Sequence, residues 1–106
     1  MPYTPQTGLQ MPLDRCTRMA DIFKALGDIN RLRLIRALLE GERCSSHLVA
    51  LLGMEPSAIS HQVRLLRHLG IISSRKEGKH IYHQLSNECV RRLLDLVEEH
   101  LSGCCQ

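Results

Sequence analysis

Ser57-Ala58-Ile59-Ser60-His61-Gln62-Val63-Arg64-Leu65-Leu66-Arg67-His68-Leu69-Gly70, running on into Ile71-Ile72-Ser73-Ser74-Arg75-Lys76-Glu77-Gly78-Lys79-His80-Ile81-Tyr82-His83-Gln84-Leu85, decides the fold. Ile59, Val63, Leu66 and Leu69 recur at steps of three and four, the stripe by which a helix seats on a core. Ser57, Ser60, His61, Arg64, Arg67 and His68 repeat such steps on another side. That side is short and hydrogen-bonding at its start and cationic at its end. A helix lying in a DNA major groove needs this layout: small polar side chains let the backbone approach base edges, while arginines hold phosphates. A solvated helix face beside a hairpin accounts for the charges about as well, but not for the hydroxyls and amide gathered in the first turns. The expected DNA contacts are therefore Ser57, Ser60, His61, Gln62, Arg64 and Arg67, joined from the hairpin by Arg75, Lys76 and Lys79.

Upstream, the punctuation predicts three more helices. Asp14 can cap a first, with Met19, Ile22, Phe23 and Leu26 inside and Gly27 ending it. Asp28 can cap a second over residues 29–40, with Leu32, Ile35, Leu38 and Leu39 apolar and Gly41 stopping it. Ser45 or Ser46 opens a short third helix that Gly53 closes, and Pro56 falls in the first turn of the fourth, where its missing N–H costs nothing. Downstream, β-rich stretches over residues 71–75 and 80–85 flank a tip at residues 76–79, and Ser86 can cap a last helix over residues 87–102. Four helices, a hairpin and a final helix make a mainly α chain. The third and fourth helices with the basic hairpin form a winged helix-turn-helix. Residues 1–12, with three prolines and a glycine, read as a flexible arm, residues 13–103 as the domain, and residues 104–106 as a tail.

The 106 residues leave room for one domain with a modest core. Two tyrosines, one phenylalanine and no tryptophan leave that core to aliphatic side chains, which gain from a partner subunit covering further apolar surface. The net charge of +3 is uneven: residues 64–79 are basic, while the last helix is mildly acidic. Nucleic acid suits the basic part. No stretch approaches the roughly 18 apolar residues of a membrane span, and residues 1–8 lack the charged start and apolar run of a signal peptide. A cytoplasmic location with reduced thiols is expected. Five cysteines (Cys16, Cys44, Cys89, Cys104, Cys105) then call for a metal, redox or packing explanation.

Ala25-Leu26-Gly27-Asp28-Ile29-Asn30-Arg31-Leu32-Arg33-Leu34, the stretch from Ser57 to Gly70, Gly78-Lys79-His80-Ile81-Tyr82 and the segment reaching His100 together resemble the ArsR/SmtB family of metal-responsive repressors. The resemblance covers nearly everything after the arm. It implies a homodimer, paired through its first and last helices, that binds palindromic double-stranded operator DNA and is released by its inducer.

Cys89 and His100 are close to three full turns apart, with Leu93 and Leu96 between them on the same side of the last helix. About 16 Å of helix axis separates them, so one helix cannot close a metal site across the gap. Two antiparallel copies crossing near Asp95 can, which predicts an intersubunit site present twice. Cys104 can join that side, whereas Cys105 points elsewhere unless the chain has uncoiled past Gly103. Two thiolates and an imidazole suit zinc, cadmium, cobalt or lead as a divalent inducer. In many zinc-sensing members of the family this helix carries Asp, His, His and an acid, and the matching positions here are Asn87, Cys89, His100 and Gly103. Asn87 is a weak ligand and Gly103 none, so the resemblance implies a softer preference than plain zinc, with cadmium or lead in view.

Alternatives stand beside this site. Cys44, in a segment resembling that where arsenic, cadmium and lead sensors carry Cys-x-Cys, has Ser46 in place of the second cysteine. Cys44 with Cys16 can hold a soft ion, or Cys44 can be a small buried residue. Cys89 with His100 can serve dimer packing instead of metal. Cys104 and Cys105 can pair on trivalent arsenic or act as a redox handle, and Cys44 or Cys89 can pair with either as a thiol redox sensor. Among the histidines, His61 reads as a groove contact and His68, His80 and His83 as surface or packing residues. Nothing supports an enzyme: Cys89 and His100 meet only across subunits, and no Gly-rich loop or carboxylate pair frames a substrate pocket. A metal-storage protein would not need the basic winged segment.

Overall fold

The computed structural model describes residues 13–103. The expected arm, Cys104, Cys105 and the rest of the tail lie outside these described residues. The elements are α1 (Leu13–Leu26), α2 (Ile29–Leu39), β1 (Arg43–Cys44), α3 (Ser45–Leu52), α4 (Pro56–His68), β2 (Ile72–Glu77), β3 (His80–Leu85) and α5 (Glu88–Leu101).

Local chemistry sets most of these boundaries. The Asp28 carboxylate accepts from the Arg31 N–H at 3.0 Å and caps α2. Gly53 closes α3 in the left-handed region at φ 65°, which a side chain would resist. Pro56 is the first residue of α4. At the other helix starts the structure corrects the expectation. Asp14 lies within the first turn of α1, favourable to the helix dipole, and does not precede the helix. Ser45 is the first residue of α3, but Cys44 occupies the cap position and makes no capping bond. Asn87, not Ser86, caps α5: its Oδ1 accepts from the Val90 N–H at 3.1 Å while its Nδ2 donates to the Gly70 carbonyl at 3.2 Å.

The core gathers Ala25, Leu34, Ile35 and Leu38 with Leu48, Ile59, Val63, Leu66, Ile71, Ile72, Leu85 and Val90. The stripe read from α4 thus faces inward. α1 behaves otherwise: Ala25 is its buried residue, and Met19 (47 %) and Phe23 (58 %), expected inside, are exposed. A single chain offers them nothing to cover. The hairpin is tighter than expected. Glu77 pairs with His80, leaving Gly78 and Lys79 as a two-residue tip, with Gly78 at φ 63°. Lys76 and Glu77 are therefore strand residues. β1, too short to be read from sequence, adds to the far side of β3 through Arg43–His83 and Cys44–Tyr82 pairs, and the sheet order is β1-β3-β2.

Candidate nucleic-acid interface and sensory helix

Ile59, Val63 and Leu66 anchor α4 in the core, and this leaves Ser57, Ser60, His61, Arg64, Arg67 and His68 exposed on its outer face. The wing follows directly, because β2 begins two residues past Gly70. Gln62 is turned away from that outer face. It is half-buried, and its Oε1 accepts from Arg31 on α2 at 3.4 Å. Arg31 also closes the end of α1, donating from Nε to the Ala25 carbonyl at 2.9 Å and from a terminal nitrogen to Lys24 at 3.3 Å.

The basic residues sort into two sets. Several are consumed by the fold: Arg33 donates to the Leu52 carbonyl, Arg43 to Ala37 and Glu40, Arg91 to Leu39, and Arg36 pairs with Glu98. Arg75 belongs with them. Its guanidinium lies 4.8 Å above the Tyr82 ring and holds both oxygens of Glu42, at 2.9 and 2.8 Å, as well as Glu77. Glu42 and Glu77 push the Arg75 pKa further up, and Arg75 holds the Glu42 carboxyl below its ordinary value. Arg75 thus braces the wing against the loop before β1. Among the described residues, Arg64, Arg67, Lys76 and Lys79 near the reading face stand outside these pairings, as do Arg15, Arg18, Lys24 and Arg92 elsewhere.

Behind α4, His83 is buried and bridges two hydroxyls: Nε2 lies 2.7 Å from Ser45 Oγ on α3, and Nδ1 lies 2.7 Å from Ser74 Oγ on β2. Burial, and then the nearby Arg67 charge, push its pKa down. The expected packing role was legible, since His83 and Leu85 share the inward side of β3, but the two serine partners were not.

On α5, Val90 is buried, whereas Cys89, Leu96, Val97, His100 and Leu101 are exposed. The helix is continuous from Glu88 to Leu101, so Cys89 and His100 remain three turns apart, and among the described residues no three His, Cys, Asp or Glu side chains converge on one point. Within one chain, the described donors of α5 do not form a metal site. Asn87 has its carboxamide engaged at the start of α5 by Val90 and Gly70. Cys16 is an exposed free thiol on α1. Cys44 is a half-exposed free thiol whose Sγ lies 3.3 Å from Ser46 Oγ, and that hydroxyl, followed by the His47 N–H, pushes its pKa down.

A helix-turn-helix with a basic, mostly unpaired reading face and a braced wing defines a DNA-binding protein. Comparison with known proteins agrees. The profile described as "Bacterial regulatory protein, arsR family" matches residues 28–74. The chain is 40 % identical over 91 residues to a transcriptional repressor SmtB homolog of Synechocystis sp., covering 86 % of this chain and 69 % of that protein. It is 39 % identical over 87 residues to a cadmium resistance regulatory protein CadC homolog of Staphylococcus aureus, covering 81 % and 69 %. The solution structure of apo-NmtR superposes with a TM-score of 0.74 at 30 % identity, covering 96 % of this chain and 82 % of that one. The chain belongs to the ArsR/SmtB family of winged-helix transcriptional repressors and is a regulator rather than an enzyme.

Proposed function

We propose that the chain is a cytoplasmic, metal-responsive repressor that binds operator DNA as an apo homodimer and lets go when a soft or borderline divalent ion binds between subunits. The observation that carries this reading is one side of α5, where exposed Cys89, half-buried Leu93, exposed Leu96 and exposed His100 follow one another at helical spacing. Leu96, Val97 and Leu101 on α5, with Leu13, Met19 and Phe23 on α1, form apolar surface that a second copy can cover. Crossing two α5 helices antiparallel brings Cys89 of one protomer towards His100 of its partner, and Cys104 can complete the set. Thiolate–imidazole coordination of that kind suits zinc, cadmium, lead or cobalt. The CadC homolog, named for cadmium resistance, supports a soft ion. Ser57, Ser60, His61, Arg64, Arg67, Lys76 and Lys79 are the DNA contacts in this reading. A differential affinity of about 1–3 kcal/mol between the two states is enough to release the DNA.

The test is an anisotropy titration of a duplex selected for binding by the apo protein, with zinc, cadmium, lead, cobalt, nickel and arsenite. Release by a divalent ion that Cys89→Ser abolishes and Cys44→Ser retains is expected. No response to any ion would sink the sensory role. A second reading rests on the lowered thiol of Cys44, which favours attack by oxidants or arsenite. It requires that Cys44→Ser, and not Cys89→Ser, removes the response.

A further inference from the structure

We propose that the cleft between α4 and the wing is a seat for one phosphate group, gripped jointly by Arg64 and Arg67 and floored by Ser45, Ser60 and His83. The cleft is a cavity of about 160 Å³ lined by these five residues, with Val63 and Ile81 as its apolar walls. No carboxylate lines it. Arg64 and Arg67 are three residues apart, so their Cβ atoms stand about 5–6 Å from each other and two guanidinium forks can converge on one tetrahedral oxyanion. Six other arginines (Arg31, Arg33, Arg36, Arg43, Arg75 and Arg91) are tied to carbonyls or carboxylates of their own chain, whereas among the described residues these two are not.

His83 is buried, and its two ring nitrogens are held by Ser45 and Ser74 at 2.7 Å each, so the imidazole is anchored in place. The Arg67 guanidinium stands close enough for its charge to lower the ring's pKa, after burial, which lowers it more. Ser60 adds a hydroxyl donor from α4 itself. Buried Val63 and exposed Ile81 give the cleft its apolar sides. A phosphodiester of duplex backbone and free inorganic phosphate offer the same chemistry. With the former as occupant, the seat rests on the DNA-binding reading above and assigns one of its backbone contacts.

Two measurements on Arg64→Gln, Arg67→Gln and the double variant decide it, with thermal melts confirming that each folds. The first is anisotropy with a fluorescent 30-base-pair duplex of random sequence across 0.05–0.2 M salt. A shared phosphate lowers the slope of log K against log salt by about 0.9 per subunit in the double variant, with either single variant losing no more than that. That is an affinity ratio changed about 3.5-fold per subunit across the range. A loss of about 1.8 in the double variant means two separate phosphates and overturns the shared seat. The second is the His83 ring resonances titrated with inorganic phosphate at constant ionic strength. They shift in the wild type and stay fixed in the double variant when the seat exists. A shift together with the slope loss assigns the seat to the duplex backbone, and a shift without it assigns the seat to a free anion. Absence of both overturns it. A wild-type chain that binds no duplex would sink the DNA-binding reading, while the phosphate titration still decides the seat.

Discussion

Leu96→Ala should split the dimer without harming the subunit. Leu96 is 57 % exposed on α5, so it contributes little to the core of its own chain and much to whatever covers that face. The substitution removes three carbon groups, worth about 0.8 kcal/mol each when fully buried. Scaled by the exposed 57 %, about 1.4 kcal/mol is available per subunit. A two-fold interface counts each residue twice, giving about 2.8 kcal/mol for full coverage, or about 100-fold in the dimer dissociation constant. Half coverage gives about tenfold. Sedimentation equilibrium reads the constant, and urea unfolding at a concentration where the chain is monomeric reads the subunit's own stability. Leu34→Ala supplies the opposite case, since Leu34 is fully buried beside Ile35 and Leu38 and should cost the subunit about 2–5 kcal/mol. An unchanged dimer constant for Leu96→Ala, or a loss of subunit stability resembling that of Leu34→Ala, would refute the assignment of α5's outer face to a second copy. The intersubunit metal site would fall with it.

The other expectations concern the wing and the polar bridges. Arg75→Gln should leave the salt dependence of duplex binding unchanged while weakening amide protection in β2 and β3, whereas Lys79→Gln should lower the salt slope by about 0.9 per subunit. Equal slope losses would return Arg75 to the DNA contacts. Asn87→Ala removes the α5 cap and should cost about 1–2 kcal/mol in urea unfolding, with Asn87→Asp retaining most of the cap. His83 has a folded pKa below its ordinary value, so the unfolded chain binds the extra proton. Its contribution to stability is therefore complete above the unfolded pKa near 6.5 and is lost as pH falls through the folded value. Urea midpoints measured from pH 8 down to pH 5 should show this decline, and His83→Gln should flatten it.

Much of the fold was legible because its signals are local. The three-and-four spacing of Ile59, Val63 and Leu66, the Asp28 cap, the Gly53 stop and Pro56 each act within a turn or two of their own position. What escaped depends on residues distant in sequence or on another chain. Periodicity marks Met19 and Phe23 as an apolar face but does not say whether this chain's core or a second copy covers it. Ser86 and Asn87 are both competent caps, and the choice falls to Asn87, whose amide can also reach the Gly70 carbonyl. Arg75 next to a hairpin tip reads as a phosphate contact, and its pairing with Glu42, 33 residues away, was not legible. On α5 the spacing of Cys89 and His100 was readable to within a turn, and the unbroken helix from Glu88 to Leu101 keeps it.

The reading helix is tied through Arg31 of α2 to the end of α1, and through Gly70 to the start of α5. Near its middle, Gln62 accepts from Arg31, which also closes the α1 carbonyls Ala25 and Lys24. Just past its end, the Gly70 carbonyl accepts from Asn87 at the start of α5. Under the proposed function, displacement of α1 or α5 would have a hydrogen-bonded route to α4 beside core packing. Gln62→Leu separates this tie from the capping of α1, because it frees α4 from Arg31 while leaving Ala25 and Lys24 satisfied. The variant should keep the wild-type unfolding midpoint within about 0.5 kcal/mol, as expected for a peripheral substitution. Its effect on operator affinity should not add to that of Arg31→Leu, since either change breaks the same contact. Fully additive losses would mean that Gln62 acts on the DNA directly, and that Arg31 matters to α1 alone.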